Sequence, residues 1–351
     1  MSELVIRVGI VGCGYWGPNL LRNLSEISNS TVVGVADLNQ ERLDHIQRRY
    51  PGTIVTKDYQ ELFQLHLDAV VIATPPASHY RLAAESLRHG LHVLVEKPMT
   101  LTSTDAQELI ELAERQARIL MVGHTFVYNP AVRALKQMVD DGEMGRVYYM
   151  DAVRASLGIF QRGLNVLWDL APHDISVLSY LLGSAPIGVS ARGMGCLQCD
   201  VEDVAYLTLT FPSSCLAHVH VSWLDPCKVR RITVVGSRKM VVFDDIEGLE
   251  KVKIYDKGVE CPPYADTFGD FQFSYRYGNI TIPHIRFTEP LRLECEHFLE
   301  CIMTNKRPQT DGYDGLRVVK IIEAAQRSLR NGGSQEQIFY EMEQRVPQAV
   351  V

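Results

Sequence analysis

Up to about residue 122, short runs of β-branched and other apolar residues alternate with amphipathic stretches of helical period. The pattern predicts strands at Val5–Val11, Thr31–Ala36, Ala69–Ala73, His92–Val95 and Ile119–Val122. Between them it predicts helices at Gly17–Glu26, Gln40–Arg49, Ser78–His89 and Thr102–Gln116. Strands and helices that alternate in this way form a parallel sheet with helices on both faces, so we predict a doubly wound α/β domain.

From Arg146 onward, polar and apolar residues alternate at every position over longer runs, which is typical of a half-exposed antiparallel sheet. Strands are predicted at Val147–Arg154, Gly188–Met194, Tyr206–Phe211, Ala217–Trp223, Arg231–Val235, Met240–Asp244 and Lys251–Tyr255. Residues 256–290 are expected to form an ordered loop over a cleft, followed by helices at Glu289–Met303 and Gly315–Arg330. We therefore predict domains at 1–122 and 123–351, the second an α+β domain with a large, open, mostly antiparallel sheet.

The composition agrees with this picture. The chain has 351 residues, more than the ~250–300 at which a single core stops growing. Its 35 basic and 42 acidic residues give a net charge of −7 without a basic block, so nucleic acid is not an expected partner. No apolar run approaches the ~18 residues of a membrane span, and the first ten residues lack a targeting pattern, so we expect a cytoplasmic protein. The 8 scattered cysteines predict reduced thiols.

A glycine-rich motif joins the first predicted strand to the first predicted helix. It reads Gly12, Cys13, Gly14, Tyr15, Trp16 and Gly17. Such a G-x-G-x-x-G turn lets a pyrophosphate approach the backbone at a helix N-terminus. Asp37 stands 20 residues after Gly17, where a carboxylate accepts hydrogen bonds from a ribose and repels a 2′-phosphate. We therefore expect NAD, although Arg42 keeps NADP possible and Asp37 has an alternative role as a helix cap.

Three motifs together resemble the glucose-fructose oxidoreductase / inositol dehydrogenase (Gfo/Idh/MocA) family. They are the glycine motif, Ala73-Thr74-Pro75-Pro76 followed by His79, and Glu96-Lys97-Pro98 at the end of a predicted strand. The family's second signature, an aspartate and a histidine four residues apart, matches Asp169 and His173. The resemblance implies a Rossmann domain, an open-sheet domain and dehydrogenation of a pyranose or cyclitol. Asn165–Trp168 and Pro172 replace glycines that are common in the family.

The same resemblance implies contacts around the cofactor. It places Thr74, Pro75 and His79 at the border of the cofactor, Glu96 beside the ribose and nicotinamide, and Trp168 against the nicotinamide. It also implies homodimers or homotetramers built on the open sheet, and we expect a cis peptide at Lys97–Pro98.

The chemistry of the signature residues follows from their positions. Pro172 is expected in the first turn of a helix, so His173 would lie near the helix N-terminus, whose dipole keeps the imidazole neutral. We assign His173 as the base for the hydroxyl proton, Asp169 as the residue that orients it or completes a relay, and Lys97 as the cation that stabilises the alkoxide. Each could instead have a structural role: His173 as a buried structural histidine, Asp169 as a helix cap and Lys97 as a solvated surface lysine.

The segments around Gly14–Leu20, Gly123–Pro130 and Trp168–Asp174 look most like family members that act on nucleotide-linked sugars, such as UDP-N-acetylglucosamine or its uronate. Anionic substrates of this kind need guanidinium groups, and Arg154 and Arg162 are the candidates, unless they are surface charges. Tyr275 and Tyr277 are candidates for stacking on a base. A 3-ketoreductase that uses NADPH, a cyclitol dehydrogenase and a non-catalytic NAD-binding regulator remain open.

Two metal-like patterns are set aside. Cys196 and Cys199 form a single C-x-x-C without a second pair, which favours a turn. His218 and His220 lie on one face of a predicted strand, and a polar sheet face or an oligomer contact explains them more simply than a metal. We expect no metal site.

Overall fold

A computed structural model describes residues 5–158, 163–212, 214–260 and 274–340. Within residues 6–123 lies a parallel sheet of six strands in the order β3-β2-β1-β4-β5-β6. Its strands are β1 (Ile6–Val11), β2 (Ser30–Ala36), β3 (Ile54–Thr56), β4 (Ala69–Ile72), β5 (His92–Glu96) and β6 (Leu120–Gly123). The helices between them are α1 (Gly17–Glu26), α2 (Gln40–Arg49), α3 (His79–Arg88) and α4 (Ser103–Arg115). The predicted doubly wound parallel sheet is thus confirmed.

Local sequence explains these elements. Every residue of β4 is buried, as expected for a central parallel strand covered on both faces. Thr102 caps α4 by accepting a hydrogen bond from the Asp105 amide, and Asn39 caps α2 through the Arg42 amide. The cap of α2 is therefore Asn39, which removes the alternative role of Asp37. Strand β3 was not predicted because three residues are too few to show a period.

The second sheet has nine strands in the order β14-β13-β12-β11-β7-β10-β9-β8-β15. They are β7 (Val147–Leu157), β8 (Gly188–Met194), β9 (Val204–Thr210), β10 (Leu216–Ser222), β11 (Leu224–Gly236), β12 (Met240–Asp244), β13 (Val252–Glu260), β14 (Ser274–Thr281) and β15 (Glu336–Gln337). Strands β7 and β10 pair in parallel, and the other neighbours pair antiparallel. The predicted mostly antiparallel sheet is confirmed.

One face of this sheet packs on helices and the other is open. In β9, Ala205, Leu207 and Leu209 are buried, whereas Tyr206 and Thr208 are exposed. The helices of this part are α5 (Pro130–Asp140), α6 (Val166–Leu182), α7 (Pro290–Thr304) and α8 (Gly312–Arg330). Helix α5 was not predicted.

The expected loop over residues 256–290 is wrong in part. Strand β13 continues to Glu260, and Ser274–Thr281 pairs with it as β14. The physical reason is the strand-like alternation of side chains in β14, where Tyr275 and Tyr277 alternate with polar residues. The two tyrosines project from the sheet and are 66% and 81% exposed. Residues 261–273 lie outside the described ranges.

The last helices return to the first sheet. Leu291, Cys295, Phe298 and Leu299 of α7 share a buried core with β1, β2 and α1. Helix α8 contributes the fully buried Val319 and Ile322, and its Gly315 lies so close to β6 that a Cβ would meet the Val122 side chain at 2.8 Å. The division at residue 122 therefore stays a prediction. Within the described ranges, no helix has the length and apolar character of a membrane span.

Replacing Phe298 with alanine should lower the free energy of unfolding by about 3–5 kcal/mol, because its fully buried ring completes the core of the first sheet. Urea denaturation followed by circular dichroism measures the loss. Met303, 40% exposed in the same helix, gives the matched control, and its change to alanine should remove less than about 1 kcal/mol. Equal losses in the two variants would contradict a core role for α7.

Candidate active site

The glycine motif forms the turn between β1 and α1. Gly12 has a φ of +97°, a left-handed conformation that favours glycine. A Cβ on Gly17 would collide with the Gly12 carbonyl, so this glycine permits the close approach of the helix to the turn. A Cβ on Gly14 would meet only the Arg42 guanidinium, at 4.0 Å, which leaves its backbone accessible. No side chain caps α1, Pro18 has no N–H, and the Asn19 and Leu20 amides donate to the Trp16 carbonyl. The helix N-terminus therefore favours a pyrophosphate mainly through the positive end of its dipole.

Asp37 lies against this turn from the end of β2. Its carboxylate accepts hydrogen bonds from the Cys13 and Asn39 amides, and the Arg42 guanidinium lies 3.5 Å away. A cavity of about 320 Å³ opens here, lined by Cys13, Gly14, Pro18, Glu41, Arg42, His45 and Ile46. Tyr15 is exposed and its ring packs edge-on against Trp16. The backbone, the carboxylate and the cavity together fit the adenosine half of a dinucleotide.

The Thr74 to His79 segment forms the next wall. The buried His79 ring bridges two carbonyl oxygens, with Nδ1 2.8 Å from Pro98 and Nε2 2.8 Å from Thr74. Burial lowers the pKa of His79. The His79 ring is fully buried and holds this segment from within, whereas Thr74 is half-buried and Pro75 is exposed.

Lys97 follows β5, and the Lys97–Pro98 peptide is cis, as predicted. The Lys97 ammonium donates to the Asp169 backbone oxygen at 2.7 Å and to Asp169 Oδ1 at 3.2 Å. Asp169 Oδ2 accepts from the Trp223 indole at 3.1 Å. An ammonium has three donors, so two are directed to Asp169 and one remains for a substrate oxygen. The Asp169 carboxylate thus contacts Lys97 and Trp223, where we expected it to contact His173.

Helix α6 also begins earlier than expected. Asn165 caps it through the Trp168 amide, and Pro172 lies inside the helix instead of in its first turn. Pro172 has no N–H to donate to the Trp168 carbonyl, so the ladder is interrupted there, and the next carbonyl, that of Asp169, accepts the Lys97 ammonium. The helix dipole acts mainly on the first turn, so it does not explain why His173 is neutral. Trp168 is half-buried.

His173 lies one turn after Asp169 and is half-buried. Its Nδ1 is buried and has no hydrogen-bond partner. Burial lowers the pKa of His173 well below 6.5, and the charge of Lys97 lowers it further, so the ring is neutral at pH 7. Phe126 packs against it in a T-shaped arrangement, with ring centroids 5.1 Å apart. The imidazole is thus neutral, as expected, and desolvation is the cause instead of the helix dipole.

Two guanidinium groups approach the same phenylalanine. Arg154 lies 4.2 Å and Arg230 5.7 Å from the Phe126 ring centroid. Arg154 is 5% exposed, so it is not a surface charge, and its Nε and Nη2 donate to both oxygens of the buried Asp174 at 2.8 and 2.9 Å. Arg162 lies outside the described residues.

Arg230 is a residue that sequence reasoning missed. It lies directly opposite Arg154 on the neighbouring strand, although like charges in this position destabilise a sheet. Asp245 lies 3.5 Å from Arg230 and offsets part of this repulsion. The signal was an arginine on the helix-facing side of the alternating strand, but our predicted strand began one residue later, at Arg231. Two facing guanidinium groups beside His173 favour an anionic ligand.

Glu96 lies behind the lysine. Its Oε2 accepts the Lys97 amide at 3.3 Å, and burial raises its pKa to about 7. Burial raises the pKa of Glu294 of α7 well above 4.5, the charge of Glu96 raises it further, and Glu294 accepts a hydrogen bond from Thr125 at 2.8 Å. Burial thus favours the protonated form of both carboxyl groups, whereas the charge of Lys97 favours ionisation of Glu96.

The motifs set aside remain apart from this cleft. The amides of Cys196 and Leu197 donate to the Asp203 carboxylate, which makes the C-x-x-C segment a turn. His218 and His220 stack against Tyr206 on the open sheet face. Among the described residues, no group of three His, Cys, Asp or Glu side chains could hold a metal ion.

Comparison with known proteins follows the same two parts. Residues 6–124 match the model of an oxidoreductase family with an NAD-binding Rossmann fold, and residues 132–242 match the GFO/IDH/MocA C-terminal domain. UDP-N-acetylglucosamine 3-dehydrogenase of Acidithiobacillus ferrooxidans is 26% identical over 320 residues, 90% of this chain and 94% of that protein. The scyllo-inositol 2-dehydrogenase (NAD⁺) of Bacillus subtilis is 25% identical over 343 residues, 94% and 96% of the two chains.

Solved structures agree with the fold. The A. ferrooxidans UDP-N-acetylglucosamine 3-dehydrogenase structure has a TM-score of 0.77 and 24% identity, and covers 93% of this chain and 98% of that chain. GenD2 from gentamicin A biosynthesis, in complex with NAD, has a TM-score of 0.80 and 23% identity, and covers 96% and 97%.

Replacing Asp37 with serine should shift cofactor preference toward NADP by about tenfold or more, because it removes a charge that repels the 2′-phosphate and leaves Arg42 to bind it. Fluorescence titration of the free chain with each cofactor measures the two dissociation constants. Adding Arg42→Ala to this variant should remove the gain. An unchanged preference would place the 2′-hydroxyl away from Asp37.

Proposed function

Because the chain belongs to the Gfo/Idh/MocA family of NAD-binding oxidoreductases, we propose that it oxidises a ring hydroxyl at carbon 3 of a nucleotide-linked sugar. UDP-N-acetylglucosamine or its uronate is the substrate class we favour. The observation that carries the proposal is the pairing of Lys97 with Asp169 beside the neutral His173, at the carboxyl end of β5. In open α/β sheets, ligands bind at this end of the strands.

The residues divide the chemistry as follows. Bound NAD supplies the hydride acceptor. His173 accepts the proton of the hydroxyl, because its ring is neutral at pH 7. The Lys97 ammonium, held in place by Asp169, stabilises the negative charge that develops on the oxygen. The hydroxyl proton passes to His173, and loss of the hydrogen on the same carbon as hydride would leave a ketone.

The facing arginines support an anionic substrate. Arg154 and Arg230 place two positive charges beside His173 and Phe126. Asp174 already engages two nitrogens of Arg154, so Arg230, which is more accessible, is the better candidate for direct contact with a phosphate or a sugar carboxylate. This feature favours a nucleotide sugar over a neutral cyclitol, although relatives that act on inositols are about equally similar in sequence.

An NADPH-dependent ketoreductase and a non-catalytic regulator fit the site less well. Asp37 at the ribose position disfavours NADPH and so the ketoreductase. A non-catalytic regulator has no need for the ordered contacts of Lys97, Asp169 and Trp223.

We also propose that the open face of the second sheet joins copies of the chain. Tyrosine and other large apolar side chains project from it, among them Tyr149, Tyr206 and Leu216. A homodimer or homotetramer would bury these side chains.

A panel of sugars tests the substrate class. The full-length chain is incubated with NAD, and separately with NADP, and the absorbance of reduced nicotinamide is followed. We expect NAD to be reduced in the presence of UDP-N-acetylglucosamine or its uronate. Neutral inositols should give little reduction of NAD. Arg230→Met should lower kcat/KM for the charged sugar by about tenfold or more, the loss of one charge-assisted hydrogen bond. Turnover of inositols alone, insensitive to this change, would contradict the nucleotide-sugar assignment.

His173→Ala should lower kcat by about 10²- to 10⁴-fold, with NAD affinity retained.

In the unchanged chain, the base is active when neutral and its pKa lies well below 6.5. Activity should therefore be flat from pH 6.5 upward to neutrality and fall only at more acidic pH. Steady-state rates measured across pH locate this acid limb, the range in which activity falls. Full activity of His173→Ala, or an acid limb centred above 6.5, would overturn the assigned base.

A further inference from the structure

A second cavity lies next to the catalytic cleft, bounded by α5, α6 and α8. Its volume is about 670 Å³, and it is open to solvent. Polar side chains in its lining include His124, Ser176, Ser179, Thr310, Asp314 and Arg317. Lys97, Asp169 and His173 do not line it. A cavity of this size with polar groups in its wall has room for several water molecules.

His124 is the residue that distinguishes this cavity. It follows β6, is 1% exposed, and has no hydrogen-bond partner on either ring nitrogen. Burying an imidazole without partners is unfavourable, so its nitrogens are suited to bind water in the cavity that the ring lines.

The cavity reaches the back of the proposed base. Ser176 lines the cavity, and its hydroxyl donates to the His173 backbone carbonyl at 2.8 Å, so the cavity begins within one helical turn of His173. The inner nitrogen of His173, Nδ1, is buried and unpartnered, as are both nitrogens of His124. His124 also lies two residues before Phe126, whose ring packs against the His173 ring with centroids 5.1 Å apart.

Oxidation of a hydroxyl leaves a proton on His173, and this proton must leave before the next turnover. We propose that His124 passes it from the buried side of His173 to water in the second cavity. This inference rests on the proposed function. The His173 Nδ1–H bond breaks and the proton moves to one His124 nitrogen, directly or through one water. The other His124 nitrogen releases its own proton to cavity water, so both rings end neutral, each with its proton on the opposite nitrogen. A flip of each ring then returns an unprotonated nitrogen to the substrate side of His173, and no electrons are transferred.

The charges around His124 suit a ring that passes protons on without storing them. Burial lowers its pKa to about 3, and the positive charges of Lys97 and Arg317 contribute in the same direction. Asp314, across the cavity, has a pKa raised to about 6 by burial. His124 acts through His173, and we assign it no contact with substrate or cofactor.

The test compares His124→Ala and His124→Phe with the unchanged full-length chain, using the sugar that the panel identifies. His124→Ala should lower kcat about 10- to 100-fold, increase the solvent isotope effect, and regain rate when imidazole is added. Imidazole fits the space left by the ring and enters through the open cavity. His124→Phe fills that space, so it should be slow and not rescued.

Ser179→Ala is the matched control, since Ser179 lines the same cavity and its hydroxyl is buried without a partner. It should leave kcat and the solvent isotope effect unchanged. Melting temperature and NAD affinity identify a variant that is merely misfolded. An unchanged rate in His124→Ala, or a slow rate with neither imidazole rescue nor a larger solvent isotope effect, would overturn the relay alone. An unchanged chain that is inactive on the whole panel would overturn both proposals.

Discussion

Lys97 follows β5 of the first sheet, and its ammonium binds helix α6, which packs on the second sheet. The geometry of the site depends on this contact. Two of the ammonium hydrogens are directed to Asp169, whose other carboxylate oxygen is held by the Trp223 indole. The strand end, the helix and the sheet behind it are thus fixed relative to one another. A charge held by preformed partners needs little reorganisation when an oxyanion develops beside it, which is the physical basis of electrostatic catalysis.

Helix α6 supplies three functional side chains to different surroundings. Asp169 faces Lys97, His173 packs against Phe126, and Asp174 holds Arg154 in the interior. Pro172 lies among them and leaves the helical ladder open at the level where the lysine binds. The proline that replaces a glycine common in related chains is therefore compatible with the site, because the carbonyl next to the interruption is used by Lys97.

Local patterns predicted most of the fold because each signal was complete within a few residues. The glycine motif, the helix caps and the alternation in β9 depend on nearest neighbours in sequence. The predictions failed where the structure depends on contacts between residues that are distant in sequence. Nothing near Asp169 reveals that its partner is Lys97, and the start of α6 was placed too late because Pro172 was taken as a boundary. Arg230 was missed because its importance appears only when β7 lies beside β11.

The return of α7 to the first sheet has a consequence for how the molecule is made. Its side chains fill the core between β1 and α1, yet α7 begins at Pro290, long after the first sheet ends at Gly123. During synthesis the residues of the first sheet emerge first, and their apolar surface stays uncovered until α7 has left the ribosome. The first sheet therefore comes early in the sequence, but its core is complete only after α7 has been synthesised. Chaperone binding during that interval would protect this surface.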